Sequence, residues 1–419
     1  MDLKELRRLK PELESFLDRY AALFGRPEAQ DHGRRFVAGL LLGGERRSVE
    51  NIAEAIDGCV VRSLQTFITN APWEGNKVLG ELRQQVAQEW GDPEAVATVD
   101  ETGFPKKGTK SVGVKRQYSG TLGRVENCQI GVFLGYHAAK GHSLVDRRLF
   151  LPEEWANDGP RRQAAGVPAG AIFRTKPELA LAMVADAVAG GLPFRWVTGD
   201  SVYGDSPSFC QGVRALEKWY VLDSSSDARV WTSQPEVLTP GRKPTRGRAT
   251  TKPKVTTKPL RVDEIVAGLP PAAWRRVTVA EGSQGPLVYE YAEVRVWFSE
   301  QGLPSGPERL LVRRSLGQEP ELKYHRTNAS GEVTLATLAS IRSKRWSIEQ
   351  DFQNGKGECG LDEYETRGWL GWHHHTALSV LALWFLARQR DRSGGKKSGS
   401  ERARGAGVVA APARRTVVG

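Results

Sequence analysis

The stretch RWSIEQDFQNGK, residues 345–356, carries three charged groups at a spacing that a helix makes meaningful. Each helical residue advances about 100°, so offsets of four and eleven return to within roughly 40° of the start. Arg345, Glu349 and Lys356 therefore fall on one stripe. A carboxylate between two cations joins a ligand for a hard metal ion to partners for phosphate oxygens, which suits cutting a nucleic-acid backbone. Solvated helices carry similar stripes, so the reading depends on what the rest of the chain supplies.

It supplies two aspartates, each behind a short apolar run. AVATV (residues 95–99) precedes Asp100, and FRWVTG (residues 194–199) precedes Asp200. Both runs read as short buried strands. Each aspartate is then expected at a strand end, on the rim where rigid elements meet loops. Either one alone reads equally well as the cap of a turn. Three carboxylates from two strands and a helix can hold two Mg²⁺ ions, with Mn²⁺ as a substitute. Such a pair of ions clamps the attacking and leaving oxygens of an in-line phosphoryl transfer.

The segment VDETGFPKKGTKSVGVKRQYSGTLGRVENCQIGV (residues 99–132) resembles the first conserved block of bacterial insertion-sequence DDE transposases. The nearest resemblance is to insertion-sequence family seven-hundred-one, close to the family-four branch. VTGDSVYGD (residues 197–205) and RWSIEQDFQNGKGECGLDEYETRGWLGWHHH (residues 345–375) resemble the second and third blocks, in the same order. The resemblance spans roughly residues 30–390. It implies that Asp100, Asp200 and Glu349 are the catalytic, metal-binding triad. It also implies that Arg345 and Lys356 contact phosphate, as parts of an R-x3-E-x6-K signature. The tyrosine that opens this signature is replaced by Arg342, a cation that can still meet DNA. The implied fold class is α/β, an RNase H-like mixed-sheet core of the retroviral integrase superfamily. A helical N-terminal domain precedes that core, and a β-rich insertion precedes its last catalytic helix.

Bulk properties agree. The chain of 419 residues is long enough for more than one domain, and 60 Lys plus Arg against 49 Asp plus Glu leave a net charge of +11. A basic surplus favours a polyanion, because phosphate contacts release counterions. No apolar run is long enough to span a bilayer, the longest being about residues 377–387. The charged start MDLKELRRLK lacks the apolar core of a signal peptide. Cys59, Cys128, Cys210 and Cys359 are scattered, which fits buried thiols in a reducing cytoplasm; the resemblance implies that this cytoplasm is bacterial and the protein nucleoid-associated.

Along the chain, residues 1–92 read as a helical DNA-binding domain, with Leu6, Leu9, Leu13, Phe16, Leu17 and Tyr20 at helical spacing. Residues 48–56, a turn at Asp57-Gly58 and residues 60–69 suggest a helix–turn–helix. Its second helix offers Arg62, Ser63, Gln65 and Thr66 to a DNA groove; an ordinary helical hairpin is the alternative. Residues 93–225 read as the first part of the core, with strands over 128–136, 143–151 and 219–222 and a helix over 176–189. From Asp223 to about Leu335 the helical signal vanishes. Residues 226–335 are expected to form the insertion, with strands over 276–280, 287–298, 308–315 and 321–327. Within it, residues 241–261 are rich in Pro, Thr, Lys and Arg and read as an extended arm, either a linker or a DNA contact. Trp297 reads as core rather than as a stacking platform. Residues 336–390 supply the last helices, and a basic tail follows over 391–419. His373, His374 and His375 cannot converge on one ion, because successive helical residues diverge by about 100°. One is expected to pack and the others to be solvated or to touch phosphate.

Lys106 and Lys107, just past the first aspartate, are candidates for guiding DNA, or else form a solvated basic turn. The expected partners are double-stranded DNA, as terminal inverted repeats and target, and a second copy of the chain on that DNA. In the expected chemistry Asp100 bridges both ions, while Asp200 and Glu349 each complete one shell. A transposase-derived protein that only binds DNA and an RNase H-like nuclease remain as alternatives.

Overall fold

Leu13, Phe16, Leu17 and Tyr20 recur at helical spacing on α1 (Leu3–Phe24), and all four are buried. They share a core with α2 (Pro27–Leu41), α3 (Val49–Ala55), α4 (Val61–Thr69) and α5 (Gly75–Trp90). The region before the first strand is thus helical, as its periodicity predicts. In this computed structural model the described residues are 3–42, 44, 46–120, 123–239, 252–282 and 285–393. The side chain of Leu6, much of the basic arm and nearly all of the basic tail lie outside what is described.

The middle of the chain forms β1 (Val96–Pro105), β2 (Lys115–Ser119), β3 (Arg124–Ala138) and β4 (Gly141–Phe150). The short helices α6 (Glu153–Ala156) and α7 (Gly159–Ala164) lead to α8 (Lys176–Ala189). Helix α8 starts where Thr175 caps the Glu178 N–H and the Glu178 side chain returns to the Thr175 N–H. Then come β5 (Trp196–Gly199), α9 (Ser201–Gly204), α10 (Pro207–Ala215) and β6 (Trp219–Ser224). Strand order across this part is β4-β3-β1-β5-β6. Strands β4, β3 and β1 are antiparallel, whereas β1, β5 and β6 run parallel. This mixed order, with a helix between the hairpin strands and the parallel pair, is the RNase H-like arrangement.

The expected β-rich insertion is present. It comprises β7 (Arg229–Trp231), β8 (Val237–Leu238), β9 (Lys254–Val255), β10 (Leu260–Arg261), α11 (Val262–Ala267), β11 (Arg275–Gly282), β12 (Gly285–Glu300), β13 (Leu303–Pro304), β14 (Glu308–Arg314) and β15 (Leu322–Thr327). Helix α11 corrects the expectation that no helix occurs here; six residues are too few to show periodicity. Strand β15 pairs antiparallel with β6, so the insertion prolongs the core sheet to 13 strands among the described residues. Trp297 is half-buried on β12, opposite Trp231 of β7.

The chain then forms α12 (Leu335–Ser343), α13 (Trp346–Cys359) and α14 (Trp369–Arg392). Gly360 ends α13 in the left-handed conformation, at φ 59°, where a side chain would also press on Arg47. Helix α14 contains the apolar run noted above and is buried almost all round, as expected of a helix apolar on every side. Among the described residues, no helix is long and apolar enough to cross a membrane.

Candidate active site

Strand register aligns the acids. Thr98 on β1 pairs with Thr198 on β5, and Thr198 pairs with Val221 on β6. Asp100, Asp200 and Asp223 each lie two residues further on. Side chains alternate along a strand, and Val96, Trp196 and Val221 share one apolar cluster beneath α12. The three aspartates have the same parity, hence the same face. Asp200 follows the end of β5, as expected, and its carboxylate accepts the Val202 N–H at 3.0 Å. Asp100 does not end its strand: β1 runs on to Pro105 because its antiparallel pairing with β3 continues after β5 has stopped. Close packing fixes this corner. A Cβ on Gly204 would fall 1.8 Å from the Asp223 carbonyl oxygen, so α9 lies directly on the β6 backbone.

Helix α13 delivers the third acid. Arg345 stands at its N-terminus, and its Nη1 donates to Asp100 Oδ2 at 2.9 Å and to Glu349 Oε1 at 3.5 Å. A single guanidinium nitrogen thus joins the strand carboxylate to the helix carboxylate. Arg345 Nε lies 3.5 Å from Asp223 Oδ2 but makes no hydrogen bond. Asp223 also accepts from His325 Nδ1 at 2.9 Å and from Arg342 Nε and Nη2 at 3.2 and 3.0 Å. The Glu349 side chain is 51% exposed against 13% for Asp100, so the helix acid keeps more freedom to turn.

Electrostatics reflect this crowding. Burial pushes the Asp100 carboxyl up to about 7; Arg345 opposes the shift and Asp200 adds to it. Burial also raises Asp200, and the neighbouring Glu101 adds repulsion. Glu101 is itself held by Lys176 Nζ and, at 3.3 Å, by the Tyr203 hydroxyl. Asp223 behaves oppositely. Burial alone would raise it, but His325, Arg342 and Arg345 together hold it well below the usual carboxylate range.

The other expected residues divide. Lys356, on the same stripe as Arg345 and Glu349, reaches β1 and donates to Thr102 Oγ1 at 2.8 Å, two residues past Asp100. Arg342 turns inward onto Asp223. Lys106 donates to the Tyr364 carbonyl at 3.2 Å and lies 3.6 Å over that ring, and burial pushes it down to about 8. Lys107 is exposed. On α4, Arg62, Gln65 and Thr66 are exposed while Leu64, Phe67 and Ile68 are buried, and Gln65 donates to Glu50 of α3 at 2.8 Å.

The histidine run needs correcting in one respect. No two of the three are solvated: His374 and His375 are both buried and His373 half-buried. Each meets a different backbone carbonyl, His373 that of Trp369, His375 that of Gly360, and His374 those of Ile68 and Trp73. Helix α14 is enclosed almost all round, so each of the three directions meets protein.

Asp223 was not singled out from the sequence. The signal was nevertheless there, since WYVL (residues 219–222) is a third short apolar run ending in Asp.

Among the described residues, no three His, Cys, Asp or Glu side chains converge closely enough to hold a metal ion as placed. The cation between Asp100 and Glu349 is Arg345 itself. By donor type the acids fit a hard divalent cation, because carboxylate oxygens are what Mg²⁺ and Mn²⁺ take. By position they surround one positive charge.

The fold is thus an RNase H-like mixed sheet with acids beside two adjacent parallel strands and on a helix that follows them. A family model described as DDE superfamily endonuclease matches residues 19–286, more than half of the chain, and the chain belongs to that superfamily. Endonucleases of this superfamily typically use divalent metal ions. A probable transposase for insertion sequence element IS701 of Microchaete diplosiphon is 27% identical over 199 residues, covering 46% of this chain and 48% of that protein. The chain thus spans about half the length of the curated relative it matches. Among solved structures, a cryo-EM structure of the piggyBac transposase synaptic complex with hairpin DNA aligns over 88% of this chain and 67% of that one, with a TM-score of 0.42 and 11% identity. The NurA nuclease from Sulfolobus solfataricus aligns over 78% of this chain and 88% of its own, with a TM-score of 0.21 and 10% identity. Neither likeness is close enough to bear on the assignment.

Proposed function

We propose that this chain is a DDE transposase that cuts the ends of an insertion sequence and joins them to target DNA. Asp100, Asp200 and Glu349 are its catalytic and metal-binding residues. The observation that carries this reading is the Arg345 guanidinium spanning Asp100 and Glu349, which draws a strand acid and a helix acid to one point in a chain of this superfamily. Two Mg²⁺ ions, or Mn²⁺ in their place, would be held by these carboxylates; they would activate the attacking oxygen and stabilise the departing one. The chain's own part is positioning. Asp100 and Asp200 are fixed by strand register, and Glu349 swings in from a rigid helix. Arg345 and Lys356 hold non-scissile phosphates in line, contacts that set register without reading sequence. Lys107, on an exposed turn, and Arg62 and Gln65, on the exposed face of α4, are offered as further DNA contacts, the last two to the terminal repeats. Lys106 and Arg342 are engaged within the protein and support the site from behind. Two ends must be joined together, so the working form on DNA is a pair of chains.

The test incubates the protein with the DNA flanking its own coding sequence and Mg²⁺ or Mn²⁺, beside Asp100→Ala, Asp200→Ala and Glu349→Ala. The expected result is metal-dependent breaks at paired inverted repeats, lost in all three variants while end binding persists. Tight binding without cleavage would leave a DNA-binding protein only. Breaks scattered without regard to sequence would mean a general nuclease.

A further inference from the structure

Four carboxylates surround Arg345, and one differs from the rest. Asp100 and Glu349 share Nη1, and Asp200 stands nearby and adds its field. Asp223 faces the other end of the guanidinium, at Nε. It is also the most firmly held acid of the group. His325, which is fully buried, donates to its Oδ1 at 2.9 Å, and Arg342 clamps both oxygens at 3.2 and 3.0 Å. Both partners come from outside the strands bearing the catalytic acids, His325 from β15 of the insertion and Arg342 from α12. A carboxylate fixed in this way acts as a post. Its Oδ2 lies 3.5 Å from the Arg345 Nε, a buried donor without a hydrogen-bond partner. A donor in that state gains a bond by a small shift toward Asp223.

The same guanidinium stands where a divalent cation would meet Asp100 and Glu349. Both cations cannot be there, so loading of the site requires Arg345 to release those carboxylates. We infer that Asp223 is a positioning residue that takes up the Arg345 guanidinium when a divalent cation claims Asp100 and Glu349. Arg345 is then a place-holder that keeps the repelling acids together before loading, and Asp223 makes its withdrawal inexpensive. The insertion takes part through His325, which helps to fix the post. This inference rests on the triad proposed above.

The test is calorimetric titration of Mn²⁺ into the full chain, with thermal melting of each variant to verify folding. Asp223→Asn leaves Arg345 without its second anchor, so the guanidinium competes harder for Asp100 and Glu349; Mn²⁺ binding is expected to weaken by about ten- to a hundredfold, the worth of one hydrogen bond between charged groups. Arg345→Gln removes the competing cation and should bind Mn²⁺ more tightly than wild type. In that background, Asp223→Asn should change the affinity no further. Should Asp223→Asn fail to fold, Arg345→Gln decides alone, and unchanged or weaker Mn²⁺ binding overturns the inference. An Asp223→Asn effect of equal size with and without Arg345 overturns it as well, as does no effect at all. Wild-type protein that takes up Mn²⁺ independently of Asp100, Asp200 and Glu349, or takes up none, removes the triad and this inference together.

Discussion

Asp100 combines burial with charge, and the combination has a measurable consequence. Its carboxyl is raised from 3.8 to about 7, mainly by burial. Between those values the folded chain keeps a proton that the unfolded chain has released. In metal-free protein, stability therefore falls as pH rises from about 4 through 7. The shift corresponds to at most about 4 kcal/mol. Asp100→Asn cannot ionise, so in a chelating buffer its melting temperature relative to wild type should be higher at pH 8 than at pH 5. A difference independent of pH would mean that Asp100 titrates normally. At this scale the sequence was informative about identity and less so about engagement. Asp100, Asp200 and Glu349 could be picked out from apolar runs and helical spacing. That Arg342 faces Asp223 and Lys106 covers Tyr364 depends on contacts across 119 and 258 residues of chain, which no local pattern encodes.

Two adjacent parallel strands set the spacing of the first two acids, and a buried hydroxyl pair ties them. Thr98 Oγ1 and Thr198 Oγ1 lie 2.9 Å apart, both fully enclosed, one turn of the pleat before Asp100 and Asp200. Thr98→Val strands the Thr198 hydroxyl in the core and should cost about 1–3 kcal/mol. Thr98→Val with Thr198→Val removes both partners, leaves an apolar pair of the same shape, and should recover most of that loss. Denaturant midpoints of the four proteins in the cycle would report it, and additive losses would rule out the pairing. Most elements were legible because their periodicity is strong: α8 falls on the expected residues 176–189. Strand β1 outran its expected end because pairing with β3, a tertiary partner, holds residues 101–105, where the apolar run has broken off and only Phe104 keeps up the core.

The whole molecule is joined through β15. Successive residues of a strand point to opposite faces, and here both are used. His325 steadies Asp223 on one side. Arg326 on the other donates to the Gly204 carbonyl at 3.0 Å, to Glu308 at 2.9 and 2.5 Å and to Glu300 at 2.9 Å. Gly204 ends the turn that begins after Asp200, so the insertion grips the corner that carries Asp200 through its backbone. Arg326→Met would leave Glu300 and Glu308 buried without their main partner, at a cost of about 3–5 kcal/mol. Proteolysis should then cut the insertion well before the core unfolds, whereas the wild-type chain melts in one transition. Equal melting of wild type and variant would show that the insertion does not depend on this network.

Local pattern alone made legible the helical start, the main strands and helices of the core, and three acids worth singling out beside the Arg345 and Lys356 stripe. These follow from apolar periodicity and from fixed angular steps along a helix, which are properties of neighbouring residues. The tertiary structure decided that β15 fuses the insertion to the core sheet. It also decided that Asp223 belongs with the acids, and that one guanidinium gathers carboxylates from β1, β6 and α13. Those outcomes depend on strand pairing and charge contacts between residues more than a hundred positions apart, set only when the sheet closes.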